Sequence, residues 1–105
     1  MNIIYGNRYK NSEKNIKRKQ SEKDKLDLIK NHIKNCKDYN ELKNNPMSYL
    51  FSFEALKHDL SGYYSFNLCK NRGKIRLLVS INENTNSVCL EYISINHYDN
   101  FKNKL

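Results

Sequence analysis

The sequence predicts an α+β fold, N-terminal helices packed on a small antiparallel sheet, and three observations carry that prediction. Residues 12–36 hold almost no helix breakers and place apolar side chains at helical spacing. Asn44-Asn45-Pro46 then interrupts the chain, and after Leu60 the apolar period shortens to two, punctuated by two turn signals. A chain of 105 residues has the length of one domain, here expected to span 1–105, and chains this short bury only about 60–70% of their unfolded surface.

Each element follows from local pattern. Met1 to Tyr5, with Ile3, Ile4 and Tyr5, reads as a short first strand. The breaker-free stretch from Ser12 to about Cys36 reads as helix, and Ser21-Glu22-Lys23-Asp24 fits a capping box at which a second helix, or a kink, begins. Leu26, Ile29 and Ile33 then fall on one face, with Lys23, Lys30, Lys34 and Lys37 as the solvated side. A helical turn around Tyr39 to Lys43 ends at the Asn-Asn-Pro breaker.

In Tyr63 to Cys69 the side chains of Tyr64, Phe66 and Leu68 point one way, and Tyr63, Ser65 and Asn67 the other. Asn71-Arg72-Gly73 is a hairpin signal. Ile75 to Ile81 buries Ile75, Leu77, Val79 and Ile81, leaving Arg76, Leu78 and Ser80 opposite; Asn82 to Ser87 turns again; Val88 to Ile95 is the last strand. Two tight connections in succession imply an antiparallel meander, which cannot shield a core alone and must be covered on its apolar face by the early helices. The other face is expected to stay open and to carry Arg76 with Tyr63, Ser65 and Asn67.

Composition narrows the function. Nineteen Lys and Arg against eleven Asp and Glu give a formal charge of +8, which favours an anionic partner such as nucleic acid, a membrane surface or an acidic protein. Eight Tyr, four Phe and no Trp make a core that draws on amphipathic aromatics, without a large cofactor cavity. Cys36, Cys69 and Cys89 have no C-x-x-C spacing, so neither a zinc site nor a disulfide framework is implied, and reduced thiols fit a cytoplasmic protein. Met1 to Lys10 lacks the apolar region of a secretory signal, and no run approaches the roughly 18 apolar residues of a membrane span; a soluble protein without membrane association is expected.

Gly-rich phosphate loops, paired metal-binding carboxylates, H-E-x-x-H and G-x-S-x-G are all missing from the sequence, which removes the usual signatures of nucleotide hydrolysis, zinc catalysis and α/β-hydrolase chemistry. What remains is a scattered set: Glu54 just before the strands, Arg76 within the sheet, and His97 with Tyr98 after the last strand.

That set lies in a recognisable context. The run Phe53-Glu54-Ala55-Leu56-Lys57-His58-Asp59-Leu60-Ser61-Gly62-Tyr63-Tyr64-Ser65 resembles the P-E-P-L-K…L-S-G-Y-W-S stretch of the YoeB branch of the RelE/ParE toxin superfamily. Lys74-Ile75-Arg76-Leu77-Leu78-Val79-Ser80 is similar to that branch's H-R-L-V-Y strand, and Asn96-His97-Tyr98 to its terminal R-Y-H-Y, so the resemblance covers roughly residues 50–98. It implies a small helix-plus-antiparallel-sheet domain and the toxin of a type II toxin-antitoxin system. Such a toxin is an endoribonuclease that cuts mRNA in the ribosomal A site without a metal or cofactor, and it is held by a cognate antitoxin.

By the same resemblance Glu54 would be the general base that takes the 2′-hydroxyl proton. Arg76 would hold the scissile phosphate and stabilise developing charge, and His97 would protonate the 5′-oxygen leaving group. Lys57 matches the branch's phosphate-binding lysine and Tyr98 its terminal tyrosine, while Tyr63, Arg72 and Lys74 are further candidate RNA contacts. The sequence departs from the branch where Tyr64-Ser65-Phe66-Asn67 replaces Trp-Ser-Arg-Arg, which removes two basic side chains from beside the substrate; Lys70, Arg72 and Lys74 in the adjoining turn could restore them. Two rival functions share the fold or the charge: a ParE-like toxin that acts on DNA gyrase without cutting RNA, and a non-catalytic basic RNA-binding protein.

Overall fold

In the structure, a computed structural model that describes residues 1–70 and 73–96, a five-stranded sheet carries helices on one face. The elements run β1 (Asn2–Tyr5), α1 (Asn7–Ser12), a 3₁₀ turn (Glu13–Ile16), α2 (Gln20–Asn35), α3 (Tyr39–Asn44), α4 (Pro46–Leu50), β2 (Glu54–Ala55), a second 3₁₀ turn (His58–Leu60), β3 (Tyr63–Asn67), β4 (Arg76–Asn82) and β5 (Ser87–Ser94). The sheet order is β1-β5-β4-β3-β2. The antiparallel meander of β3, β4 and β5 is as the period-two pattern predicts.

Two strands extend it, and they correct the expectation of a purely antiparallel sheet. β2 adds an antiparallel pair of residues beside β3, and β1 lies parallel to β5, with Ile3 opposite Val88. Parallel pairing needs a long crossover, here supplied by the helices between β1 and the meander. Gly6 ends β1 at a close approach: its N–H donates to the Leu90 carbonyl at 3.0 Å, and a Cβ there would sit 2.9 Å from that same oxygen. Beyond this point the rim of β5 is closed by side chains rather than by a strand. Ser12 Oγ accepts from the Ile93 N–H at 2.8 Å, and Asn15 Nδ2 donates to the Ile93 carbonyl at 2.8 Å, so the exposed ladder is not left as a template for aggregation.

The helices depart from the sequence reading in their caps. α2 starts at Gln20 with no side-chain cap, so Ser21 lies inside it, and Asp24 instead accepts from Gln20 Nε2 at 2.8 Å. The capping-box motif is spent on a pair within the first turn. Working caps appear later: Asp38 accepts from the Glu41 N–H at 2.9 Å, and Asn45 accepts from the Met47 N–H at 2.8 Å. Asn44 does end α3, but Pro46 occupies the first turn of α4, where its fixed φ suits a helix start. The breaker is therefore also an initiator.

Leu26, Ile29 and Ile33 are buried against the sheet, in one core with Tyr9, Leu42, Phe66, Leu77, Val79, Leu90 and Ile93. Lys23, Lys34 and Lys37 are exposed as expected, but Lys30 is not simply solvated. Its ammonium lies 5.1 Å from the centroid of the Tyr5 ring and 5.7 Å from that of Tyr9, a cation–π arrangement. The second sheet face also differs from the expectation of an open surface: Leu78 and Ser65 are buried there. In register Leu78 lies between Ser65 and Tyr92, with Arg76 and Ser80 as its same-face neighbours along β4, so the long side chains of Tyr92 and Arg76 flank it on the pleat. Among the described residues no helix is long and apolar enough to cross a membrane.

Tyr9 is fully buried, and its hydroxyl has no hydrogen-bond partner. Burial, reinforced by Glu13, pushes its pKa up from the ordinary 10.0. A buried hydroxyl without a partner costs roughly 1 kcal/mol or more, so Tyr9→Phe is expected to raise the thermal midpoint slightly at neutral pH. The sign at high pH follows from the raised value. Stability contributed by the neutral phenol is complete below pH 10.0 and is lost as pH climbs toward the folded value, so the advantage of the phenylalanine variant should widen in alkali. Thermal melts at neutral and alkaline pH check this, and a variant less stable than wild type at both would contradict it.

Candidate nucleic-acid site

The placement of Glu54 begins with a tight turn. After α4, the Phe51 N–H donates to the Met47 carbonyl, the Ser52 N–H to Tyr49 and the Phe53 N–H to Ser48, all between 2.9 and 3.0 Å. Ser52 takes a positive φ of 55°, a conformation that non-glycine residues adopt at a cost. The chain then enters β2, and the exposed Glu54 pairs with Ser65. Phe53 anchors this two-residue strand. Its ring stacks on Tyr64 at 5.4 Å and tilts against Phe66 at 4.8 Å, while Tyr64 in turn meets Tyr39 at 5.7 Å. The hydrogen bond with Tyr39, helped by burial, pushes the Tyr64 hydroxyl up to about 12.

Register puts the predicted residues in order. Glu54, Ser65, Leu78 and Tyr92 form one row across the sheet, and Arg76 lies on the same face two residues along β4 from Leu78. Strand and residue spacings then separate the Cα atoms of Glu54 and Arg76 by roughly 12 Å, a gap that a phosphate flanked by a carboxylate and a long guanidinium can fill. Tyr63, half-buried, shares this face one row beyond Ser65, opposite Ser80. Lys57 is exposed at the entry to the second 3₁₀ turn, and Lys74 is exposed two residues before Arg76. His97, Tyr98 and Arg72 lie outside the described residues. Ser94, the partner of Arg76, precedes His97 by three residues.

Arg76 is held by its hairpin. Nη1 donates to the Gly73 carbonyl at 2.6 Å, to Asn67 Oδ1 at 3.1 Å and to the Ile75 carbonyl at 3.2 Å. No described residue takes Nε or Nη2, so one corner of the guanidinium is anchored while the rest of the fork keeps the geometry that grips phosphate oxygens in pairs.

Sequence reasoning missed Lys25. From α2 its Nζ reaches the Cys69 carbonyl at 2.7 Å, which puts a second cation at the same hairpin. Burial, joined by repulsion from Arg76, lowers its pKa from 10.5. The available signal was weak: Lys25 flanks the apolar stripe just before Leu26, where a lysine stem runs along a core edge.

Among the described residues, a small hollow of about 130 Å³ lies between Arg8, Lys14 and Tyr92, and two larger ones compete as binding places. One of about 350 Å³ is lined by Tyr49, Ser52, Phe53 and Glu54. A larger one of about 580 Å³ lies at the β4–β5 turn, with Glu83 and Glu91 in its wall, and two carboxylates there disfavour a polyanion. Among the described residues no group of three or more His, Cys, Asp or Glu is gathered as metal ligands.

Neither a scan against protein-family models nor a search of curated protein sequences gave a match. Solved structures did. A YoeB/ParE toxin from Agrobacterium tumefaciens superposes with a TM-score of 0.62 at 18% identity, over 90% of this chain and 98% of that one. YafQ from E. coli strain BL21(DE3) gives 0.61 at 14%, over 90% and 91%. A chain of the toxin-antitoxin complex RelBE2 from Mycobacterium tuberculosis gives 0.52 at 15%, over 91% of each. At these identities the likeness speaks for architecture, and it matches the resemblance carried by residues 50–98: the chain has the α+β fold of the RelE/ParE toxins, YoeB-like members included.

Proposed function

We propose that this protein is the toxin of a type II toxin-antitoxin system, acting as one domain over residues 1–105, and that it is a metal-independent endoribonuclease cutting mRNA in the ribosomal A site. The observation that supports it most is the common face of Glu54 and Arg76 in a toxin fold.

Glu54 takes the proton from a ribose 2′-hydroxyl, whose oxygen attacks the adjacent phosphorus. Arg76 neutralises the charge that gathers on the phosphoryl oxygens. The bond to the 5′-oxygen breaks, and His97 supplies its proton, leaving a 2′,3′-cyclic phosphate and a 5′-hydroxyl. Lys57, Arg72 and Lys74 neutralise neighbouring phosphates, while Tyr63 and Tyr98 contact bases. The partners are mRNA, the ribosome and a cognate antitoxin, which places the activity in the cytoplasm. Complexes of similar toxins with antitoxins, such as YoeB-YefM from Staphylococcus aureus, support the last of these. A ParE-like toxin directed at gyrase is the second reading, favoured by the bonds that tie Arg76 Nη1 to its own hairpin.

A cell-free translation reaction with end-labelled mRNA, mapped by primer extension, separates the two. Wild type is expected to give discrete cuts at the decoding site, with Glu54→Gln and His97→Ala each slower by about 10²–10⁴-fold. Intact mRNA and normal translation with wild type would sink the nuclease reading and send the protein to a supercoiling assay with gyrase.

A further inference from the structure

α4 is only five residues long, yet it shows solvent three large side chains, Tyr49 at 85%, Leu50 at 68% and Met47 at 44%. The helix is not loosely attached. Ser48 is buried and shares a 2.7 Å hydrogen bond with His32 Nε2, and Phe51 is buried in the core. An almost fully exposed tyrosine on a firmly seated helix gains nothing from burial, and contiguous exposed apolar side chains mark a contact surface.

What it would contact follows from its neighbour. The left-handed turn at Ser52 brings the chain round so that Tyr49 and Glu54 line the same groove of about 350 Å³, together with Phe53, whose ring is stacked on Tyr64. A groove at the small end of ligand-site volumes has room for one base. The +8 charge of the chain draws a polyanion, and an exposed aromatic face stacks on any base without reading its edge. We infer that Tyr49 is the platform on which an unpaired base of the RNA stacks beside the phosphate served by Glu54, making the Tyr49–Glu54 groove a substrate-binding subsite. The inference rests on the ribonuclease reading and adds a residue that neither the composition nor the resemblance picked out.

The test is single-turnover cleavage in the translation reaction, with Tyr49→Ala and Tyr49→Phe beside wild type and thermal melts of all three. Loss of base stacking is expected to raise the half-saturating concentration of ribosome-bound mRNA about tenfold in the alanine variant, with little change in the rate at saturation. The phenylalanine variant keeps the ring and should stay within about twofold of wild type, and the melts should coincide because Tyr49 is exposed. Equal cleavage by wild type and Tyr49→Ala overturns the inference while leaving the ribonuclease intact. Normal cleavage by Tyr49→Ala together with escape from antitoxin inhibition overturns it as well, and assigns the ledge to a protein partner. Intact mRNA with wild type itself removes the ribonuclease reading, and the subsite with it.

Discussion

Arg76→Ala is expected to slow mRNA cleavage by about 10²–10³-fold, the usual cost of removing one donor from a site of developing charge. The side chain has two tasks that the substitution removes together. Nη1 ties the base of the β3–β4 hairpin through Gly73, Ile75 and Asn67, and the rest of the fork is assigned to the phosphate. The first task bears on stability. Hydrogen bonds from a charged donor contribute about 1.5–3 kcal/mol, and the half-exposed setting of Arg76 puts the expected loss at the low end, because water can reach the freed carbonyls. The second task bears on rate.

Arg76→Lys separates them. An ammonium can still donate to the Gly73 carbonyl and so recover most of the melting temperature, but it lacks the planar fork, and cleavage should remain at least tenfold below wild type. Melts and single-turnover rates on the same preparations check both tasks. If cleavage per folded molecule in Arg76→Ala equals wild type, Arg76 is a hairpin brace and nothing more, and the nuclease reading loses its phosphate-binding residue.

How far the sequence anticipates this arrangement depends on the range of each interaction. The three meander strands were legible because alternation is local: Tyr64, Phe66, Leu77 and Val79 announce their own faces, and Asn82 to Ser87 announces the turn between the last two strands. The parallel seat of β1 was not, since four residues without alternation are paired with a strand 85 positions away. β2 is two residues long and has no period to read. The burial of Leu78 contradicts strict alternation, because it depends on what neighbouring strands place beside it. For the site, Glu54 and Arg76 were found through a resemblance in motif order, whereas their common face is a consequence of register across β2, β3 and β4. Lys25 reaches the hairpin from a helix 44 residues earlier in sequence, and Tyr49 stands out only once its exposure is known.

Phe66→Ala is expected to be the most damaging core substitution for both stability and activity. Phe66 is fully buried on β3, opposite Leu77, and its ring meets Phe53 at 4.8 Å. Truncating a buried phenylalanine costs about 3–5 kcal/mol, a large share of the roughly 5–15 kcal/mol that holds a domain together, and at about 4–8 °C per kcal/mol for a chain of this size the midpoint should fall by at least about 12 °C. The functional consequence runs through β2. That strand has only two residues, and Phe53, which immediately precedes Glu54, is held by Phe66 on one side and Tyr64 on the other. With the Phe66 ring gone, Phe53 can follow it into the cavity and pull Glu54 out of its row with Ser65 and Leu78. Cleavage should therefore drop well below the folded fraction at temperatures where the variant is still native by circular dichroism. Phe66→Leu, which keeps most of the volume, should recover a large part of both losses. Activity that simply tracks the folded fraction in Phe66→Ala would show that the turn at Ser52 positions Glu54 without the aromatic row.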